Sequence, residues 1–397
     1  MQPRINASCL SLLLASIACQ SITDAQVVPP PFPESSQHSG PAAHSDEPRE
    51  ECGTVVTPEL AALILQDMAD NPPPPDDFHP RYVFHIRVQF TIVRQNNGTG
   101  GMDPARIPAC LAALNAAFSP WSIVFEELSP VTILNSDAFF NIETEAEFTQ
   151  MHTENFVADG VHMFFVNQLQ AIGGNDLCGI STMPIQLASN GIALANDCAP
   201  PGNNTTIAHE MGHFFGLFHT HETIFGVECP SGFNCALSGD NICDTPADPN
   251  LGLNPTGDRV SSSCTIQNMP PPPFVCGPTP AYNPNPRNFM CYSPVKSCRN
   301  HFTYDQASSM WFRIIHDTRG FFHTNPVAAW IDFGYSGGGF DGAFDTPYPG
   351  LQYAIDNEPQ LITTQRFVIK SSNTNETIRI TRPMILDSFR GASTIGR

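Results

Sequence analysis

Apolar and polar positions follow two different periods along the middle of the chain. Tyr82–Val93 nearly alternates and is rich in β-branched and aromatic residues, which predicts a strand, whereas the apolar residues of Ile107–Phe118 recur with a helical period. Thr57-Pro58 begins an earlier helix, because threonine caps helices and proline fits their first turn. Similar patterns predict strands at Ser122–Glu127, Gly160–Val166, Gly179–Met183 and Gly191–Ala195, and helices near Glu143–His152 and at Thr303–Ile314. Helices and strands therefore interleave through residues 57–314.

The pattern changes at about Asn325. Short β-type runs broken by glycine and polar turns follow, at Trp330–Gly337, Phe344–Tyr348, Thr377–Ile380 and Pro383–Leu386. These runs resemble the opening rungs of a right-handed parallel β-helix. One or two rungs cannot bury a core alone, so the β-rich tail, residues 325–397, is either a truncated repeat module or a small appendage docked on the preceding domain. Contact with a glycan or a cell surface is its expected role.

The N-terminus has the features of an export signal. Arg4 precedes the apolar run Leu10–Ala18, which predicts a signal peptide at residues 1–18 and a secreted protein. An alternative is a lipid anchor at Cys19, because Ser16-Ile17-Ala18-Cys19 loosely resembles a bacterial lipobox. Residues 19–50 are rich in proline, serine and histidine, so residues 19–80 are predicted to be a disordered or pro-segment region.

Composition narrows the classes of partner. The 397 residues carry a formal net charge of −20, which excludes nucleic acid and anionic membranes as expected partners. The 41% of hydrophobic residues supports a substantial core.

A metal-binding pattern lies in the segment Thr206–His219. His209 and His213 are four residues apart, so a helix presents both imidazoles on one face, where they reach a single Zn²⁺. Glu210 reaches a water on the metal, which is where a general base is needed. Gly216 allows the chain to leave the helix with positive φ and bring His219 in as third ligand. Three protein ligands leave one zinc position open, which is the layout of a hydrolytic site.

Four motifs in this order resemble the pappalysin family of metzincin zinc metalloproteases. Beyond the histidine motif they are Gly239–Pro246, the segment Asn288–Tyr292, and Cys298 followed by Phe302–Gln306. The resemblance implies an α+β fold with two subdomains, a twisted mixed sheet and an active-site helix over residues 81–324. It also implies that Met290 lies beneath the metal, that the substrate is a protein or peptide, and that Ca²⁺ binds near Asp240, Asp244 and Asp248. Tyr292 is either a donor to the reaction's oxyanion or a core tyrosine.

Of the 13 cysteines, Cys9 and Cys19 belong to the leader, and the odd remainder requires an unpaired thiol. Proximity in sequence favours a disulfide between Cys178 and Cys198, and the resemblance implies one between Cys264 and Cys298. Cys52, in Cys52-Gly53-Thr54, is either a latency switch that occupies the open zinc position, as the resemblance implies, or a member of an ordinary disulfide.

These observations predict a secreted zinc endopeptidase, made as a zymogen, that hydrolyses peptide bonds with a zinc-activated water and Glu210 as general base. The alternative from another class is a catalytically silent surface or adhesion protein that retains the protease fold.

Overall fold

The computed structural model describes residues 50–54, 56–70, 83–157, 160–170, 174, 176–184, 191–252, 259–315, 328–340, 342, 346–357, 365–370, 373–389 and 393–396. The predicted signal peptide, Cys19 and most of the predicted pro-segment lie outside these residues. No helix in the described residues is both long enough and apolar enough to cross a membrane.

Helices and strands alternate along the described chain. The helices are α1 (Pro58–Asp70), α2 (Ile107–Phe118), α3 (Asp137–Phe140), α4 (Glu145–Glu154), α5 (Thr206–Phe214), α6 (Tyr304–Ile315) and α7 (Leu351–Asn357). The strands are β1 (Glu50–Cys52), β2 (Phe84–Arg94), β3 (Ile123–Glu127), β4 (Thr132–Asn135), β5 (Asn141–Ile142), β6 (Val161–Val166), β7 (Gln168–Gln170), β8 (Asp176–Ser181), β9 (Ile192–Ala195), β10 (Ala328–Ile331), β11 (Gln365–Lys370), β12 (Asn373–Thr374), β13 (Met384–Phe389) and β14 (Thr394–Ile395).

Nine strands form one mixed sheet. Its order is β3-β2-β6-β9-β8-β7-β5, with β1 added to β8 and β4 added to β2. The pairs are parallel except β7 with β8 and β8 with β9, which are antiparallel. The α+β prediction with a mixed sheet is confirmed.

The sheet separates two hydrophobic cores. The side chains of β2 point alternately to its two faces. Its even-numbered residues, Ile86 to Ile92, pack with α2, α5 and α6 in the larger core. The smaller core on the opposite face contains Phe148 and Met151 of α4. Alternate side chains of a strand point to opposite faces, so β2 contributes residues to both cores. The active-site helix α5 is thereby held inside the larger core.

The chain between α5 and α6 is irregular and cross-linked. Described residues of this segment, 216–252 and 259–303, contain short 3₁₀ turns and isolated bridges but no α-helix. Disulfides join Cys229 to Cys276, Cys235 to Cys243 and Cys264 to Cys298. Cross-links shorten the loops that must be closed on folding, which lets a segment without regular structure keep one conformation.

The tail is built on parallel strands. β10, β11 and β13 form one sheet, and β12 pairs with β14 in another. One tail expectation is wrong, because Thr377–Ile380 forms no strand. Residues 351–357, where no element was predicted, form α7. The likeness to a β-helix and the boundary at residue 325, which lies outside the described residues, stay predictions.

Candidate active site

Helix α5 carries the metal motif and is fixed at both ends. Asn203 accepts hydrogen bonds from the backbone N–H groups of Thr205 (3.2 Å) and Thr206 (3.3 Å) at the start of the helix. The helix stops at Gly216, which has φ of 93° and so takes the left-handed conformation that favours glycine. The chain turns there and brings His219 beside the two helical histidines, as the sequence predicts.

The three histidines turn their Nε2 atoms toward one point. His213 Nε2 is 3.2 Å from His209 Nε2 and 3.0 Å from His219 Nε2. The Nδ1 atoms of His209 and His213 donate to the carbonyl oxygens of Phe289 and Leu217, each at 2.7 Å. A donating Nδ1 leaves a lone pair on Nε2. Burial lowers the pKa of His213 to about 4 and that of His219 well below its usual value, so both of these imidazoles are neutral at pH 7. A cation fits this donor set, and zinc is the metal that three imidazoles most commonly bind.

Met290 lies directly under α5. A Cβ on Gly212 would come within 2.5 Å of Met290 Sδ, so glycine permits this close approach. The turn is held by Asn288 and Gln306, whose side-chain amides exchange hydrogen bonds of 2.8 and 3.2 Å. Thr220 N also donates to Met290 O, which ties the turn to the residue after His219. The glutamine of the Phe302–Gln306 segment therefore positions the predicted floor of the site.

Cys52 of β1 adds a fourth possible metal ligand to the three histidines. The ligand atoms of Cys52, His209, His213 and His219 all lie within 4.8 Å of one another, and all four residues are buried. Cys52 is a free thiol, which is contrary to the ordinary-disulfide alternative. The structure does join Cys178 to Cys198 and Cys264 to Cys298, the two pairs that the sequence analysis expects.

Glu210 is buried between the thiol and strand β8. The Cys52 thiol donates to Glu210 Oε2 at 3.4 Å, and burial together with the Glu210 charge raises the pKa of Cys52 well above its usual value. A Cβ on Gly179 would lie 2.6 Å from Glu210 Cγ, so β8 can approach the carboxylate only with glycine there. Thr54 Oγ1 also donates to Ser181 O at 3.1 Å.

Strand β1 carries Cys52 along the outer edge of β8. Leu177 pairs with Leu169 of β7 and with Glu50, and Gly179 pairs with Leu194 of β9 and with Cys52. Leu177 and Gly179 each pair with a strand of the sheet on one side and with β1 on the other. Strand β1 therefore lies on the outer edge of β8. Strand β1 is parallel to β8.

Tyr292 and His221 cover the cluster. The Tyr292 hydroxyl donates to the backbone oxygen of Cys52 at 3.1 Å, and its ring lies 4.6 Å from that of His219. The His221 ring contacts both His219 (4.9 Å) and Tyr292 (4.5 Å). Sequence reasoning missed His221 and Thr54 as neighbours of the site. Thr54 was present in the Cys52-Gly53-Thr54 motif, whereas His221, two residues past the third predicted ligand, was interpreted as an ordinary loop histidine.

The three aspartates predicted for calcium have separate partners. Asp240 accepts from Thr245 Oγ1 (2.9 Å), Asp248 from Thr220 Oγ1 (2.7 Å) and Asp244 from the backbone of Asp305 (2.9 Å). Within the described residues, the cluster of His, Cys, Asp or Glu ligand atoms that could hold a metal is the one at the histidines.

Two family models match this part of the chain. Residues 181–314 match the model described as pregnancy-associated plasma protein-A, a peptidase family, and residues 123–220 match a reprolysin-like metallopeptidase model. Both matched segments contain the histidine motif.

Similar proteins include several extracellular metalloproteases. One from Colletotrichum graminicola is 25% identical over 209 residues, 51% of this chain and 65% of its own length. One from Podospora anserina is 26% identical and covers 57% of this chain and 73% of its own, and one from Verticillium alfalfae is 34% identical over 32% and 39%. The chain thus spans just under two thirds of the first of these relatives.

Solved structures with a related arrangement include mirolysin from Tannerella forsythia. A promirolysin mutant is 16% identical, with a TM-score of 0.48 over 69% of this chain and 96% of its own. Mature mirolysin with a cleaved peptide is 17% identical, with a TM-score of 0.41 over 60% and 97%. The pappalysin resemblance indicated by the motifs is confirmed by the family model, which matches residues 181–314.

Proposed function

We propose that the chain is a secreted, latent zinc endopeptidase. The observation that carries the proposal is the convergence of three buried imidazole Nε2 atoms beside the carboxylate of Glu210. His209, His213 and His219 hold the zinc. Secretion is supported by relatives that are named extracellular metalloproteases.

Bound zinc supplies a Lewis acid that activates water and polarises the peptide carbonyl. Glu210 takes the proton from the attacking water and delivers it to the leaving amine. The Tyr292 hydroxyl already donates to a backbone carbonyl oxygen, that of Cys52. A substrate carbonyl in the same place receives the same hydrogen bond, so Tyr292 is an oxyanion donor.

The edge of β8 is the binding site for the substrate backbone. A substrate that adds there as an antiparallel strand satisfies its own N–H and C=O groups, which is β-augmentation. Strand β1 occupies this edge in the described structure and is parallel to β8, so its backbone runs opposite to that of such a substrate. Strand β1, called the inhibitory strand below, therefore fills the site without presenting a correctly oriented peptide bond.

Latency follows from the same contacts. Cys52 places its sulfur with the three zinc ligands, and Thr54 anchors the strand on Ser181. Cysteine thiolate is a strong zinc ligand, so Cys52 excludes the water that the reaction needs. Removal of β1 activates the enzyme.

Calcium binding, the lipid anchor and the surface contact of the tail are further proposals. Calcium binding near Asp240, Asp244 and Asp248 rests on the family resemblance alone, because the three carboxylates have separate partners. The lipid anchor at Cys19 and the surface contact of the tail stay predictions.

The test is peptide cleavage by activated protein and by its Glu210→Ala variant, with zinc content measured for both. The wild type should cut a diverse peptide library, and the variant should lose about 10²- to 10⁴-fold in rate while it keeps its zinc. Glu145→Ala, an exposed glutamate in α4, is the matched control and should cut normally. Zinc-loaded, activated wild type that cuts no peptide would instead favour the silent surface protein.

A further inference from the structure

The register of β8 defines which side of the cleft holds each half of a substrate. Gly179 faces Glu210, so the bond to be cut lies opposite Gly179. In antiparallel pairing, later residues of one strand face earlier residues of the other. The residues after the scissile bond, named P1′ to P3′, therefore lie beside Cys178 and the residues that precede it.

Lys296 brings a positive charge to this side. Its Nζ lies 3.5 Å from Cys178 Sγ, and its side chain is half-buried. The disulfides Cys178–Cys198 and Cys264–Cys298 fix both sides of this contact, because Lys296 begins the 3₁₀ turn that ends at Cys298. Lys296 is one of two lysines in a chain of net charge −20.

The inhibitory strand has glutamates at the backbone positions along the same stretch of β8. Glu50 of β1 is in register with Leu177, and Glu51 lies between Glu50 and Cys52, whose partner is Gly179. Two consecutive glutamates thus occupy the backbone positions beside Cys178. The neighbouring carboxylate on β8 is Asp176, which accepts a hydrogen bond from Gln168 Nε2 at 2.6 Å.

We infer that Lys296 makes the cleft select substrates with an acidic residue within P1′ to P3′. The ammonium lies beside Cys178, the β8 residue next to the P1′ to P3′ positions, and the segment that blocks the cleft has glutamates at the matching backbone positions. Opposite charges at a partly buried position discriminate against a like charge, which is repelled. This selectivity rests on the proposed endopeptidase function and names its substrate class.

The test compares matched peptides that differ at one position. Full-length protein is loaded with zinc and activated by limited proteolysis, with release of the β1 segment checked by mass spectrometry. Peptides carry Glu, Gln or Lys at P1′, P2′ or P3′ in an otherwise constant sequence. At one of these positions kcat/KM should be about five- to tenfold higher for Glu than for Lys, and the ratio should shrink in high salt.

Charge reversal identifies the residue responsible. Lys296→Glu should invert the preference in favour of Lys, and Lys296→Met should abolish it. The matched control is Lys370→Glu, which reverses the charge of the other lysine, at the end of strand β11 in the tail. This variant should keep the acidic preference. Thermal unfolding of each variant identifies a loss of folding.

Three outcomes distinguish the inference from the function on which it rests. Inversion by Lys296→Glu supports both. Efficient cleavage by wild type without acidic preference at P1′ to P3′, or with a preference that Lys296→Glu leaves unchanged, overturns the inference and leaves the peptidase intact. Failure of zinc-loaded, activated wild type to cut any peptide overturns the peptidase function itself.

Discussion

The thiol of Cys52 donates a hydrogen bond to Glu210 Oε2 at 3.4 Å, across 158 residues of sequence. This contact joins the inhibitory strand to the proposed general base. It places Cys52 close to both groups that the reaction requires, the base and the histidine cluster.

Replacement of Cys52 by alanine should raise the activity of the unprocessed chain. The variant loses the thiol that lies with the three histidines and contacts Glu210, while β1 keeps its backbone pairs with β8. Peptide cleavage before processing should therefore increase at least about tenfold, which corresponds to roughly 1.4 kcal/mol. Cys110→Ala, at another buried free cysteine, is the control. Equal activity of Cys52→Ala and wild type both before and after processing would exclude a latency switch.

Gly179→Ala should impair catalysis without removing zinc. The added Cβ would lie 2.6 Å from Glu210 Oε1, so the carboxylate must shift. We expect a loss of about tenfold or more in kcat, since a misplacement of about 1 Å can cost 10²-fold. Gly338→Ala, where a Cβ meets open space, should have no effect. Wild-type kcat in Gly179→Ala would show that Glu210 tolerates the added methyl group.

Tyr292→Phe should lower kcat more than it changes KM. The variant keeps the ring contacts with His219 and His221 and loses only the hydroxyl donor. Removal of one oxyanion donor typically costs about 10²- to 10³-fold in kcat. Tyr353→Phe on the exposed surface of α7 serves as control. An unchanged kcat would assign Tyr292 to the core.

Acid should destabilise the fold through His152 and His162. Burial lowers the pKa of His152 to about 3 and that of His162 to about 4, whereas both titrate near 6.5 when unfolded. The unfolded chain therefore binds more protons below pH 6.5, and each group removes about 1.4 kcal/mol per pH unit until its folded pKa is reached.

His152→Leu removes one of these groups and should flatten the pH dependence. Urea unfolding of wild type and variant, measured from pH 7.5 to pH 4.5, gives the comparison. The difference in free energy of unfolding between wild type and His152→Leu should be constant above pH 7. Below pH 6.5 it should shift in favour of the variant as the pH falls. Parallel pH curves for the two proteins would contradict the assignment to His152.

Trp330→Ala should destabilise the protein by about 3–5 kcal/mol. Trp330 is 1% exposed and packs with Val83 and Val368, beside Val124 of β3. The tail thus docks on the protease through this contact, in agreement with the appendage alternative. Leu386→Ala, at a partly exposed side chain on β13, should cost far less. Loss of the tail in a separate early unfolding step, with the protease unaffected, would argue against coupling through Trp330.

Elements with a strong local pattern agree with the sequence. Ile107–Phe118 is a helix with the predicted bounds, because its apolar residues bury one face against the sheet. The two-residue strand β5 and the exposed strand β4 were missed, since neither carries a clear alternation. Thr377–Ile380 has β-type residues but no partner strand, and Ile380 is 60% exposed. A strand needs hydrogen-bonded neighbours, which its own residues do not supply.

The sequence by itself determined the candidate metal ligands as a set, because the spacing of His209 and His213 on a helix and the glycine turn to His219 are local geometry. Only the tertiary structure decided which distant groups join them. The parallel pairing of β1 with β8 brings Cys52 to the histidines, and the approach of β8 requires Gly179. The cross-linked loop also sets Lys296 against Cys178. The pairing of β1 with β8 and the contact of Lys296 with Cys178 join segments more than 100 residues apart, and their geometry depends on packing and strand register rather than on any local period.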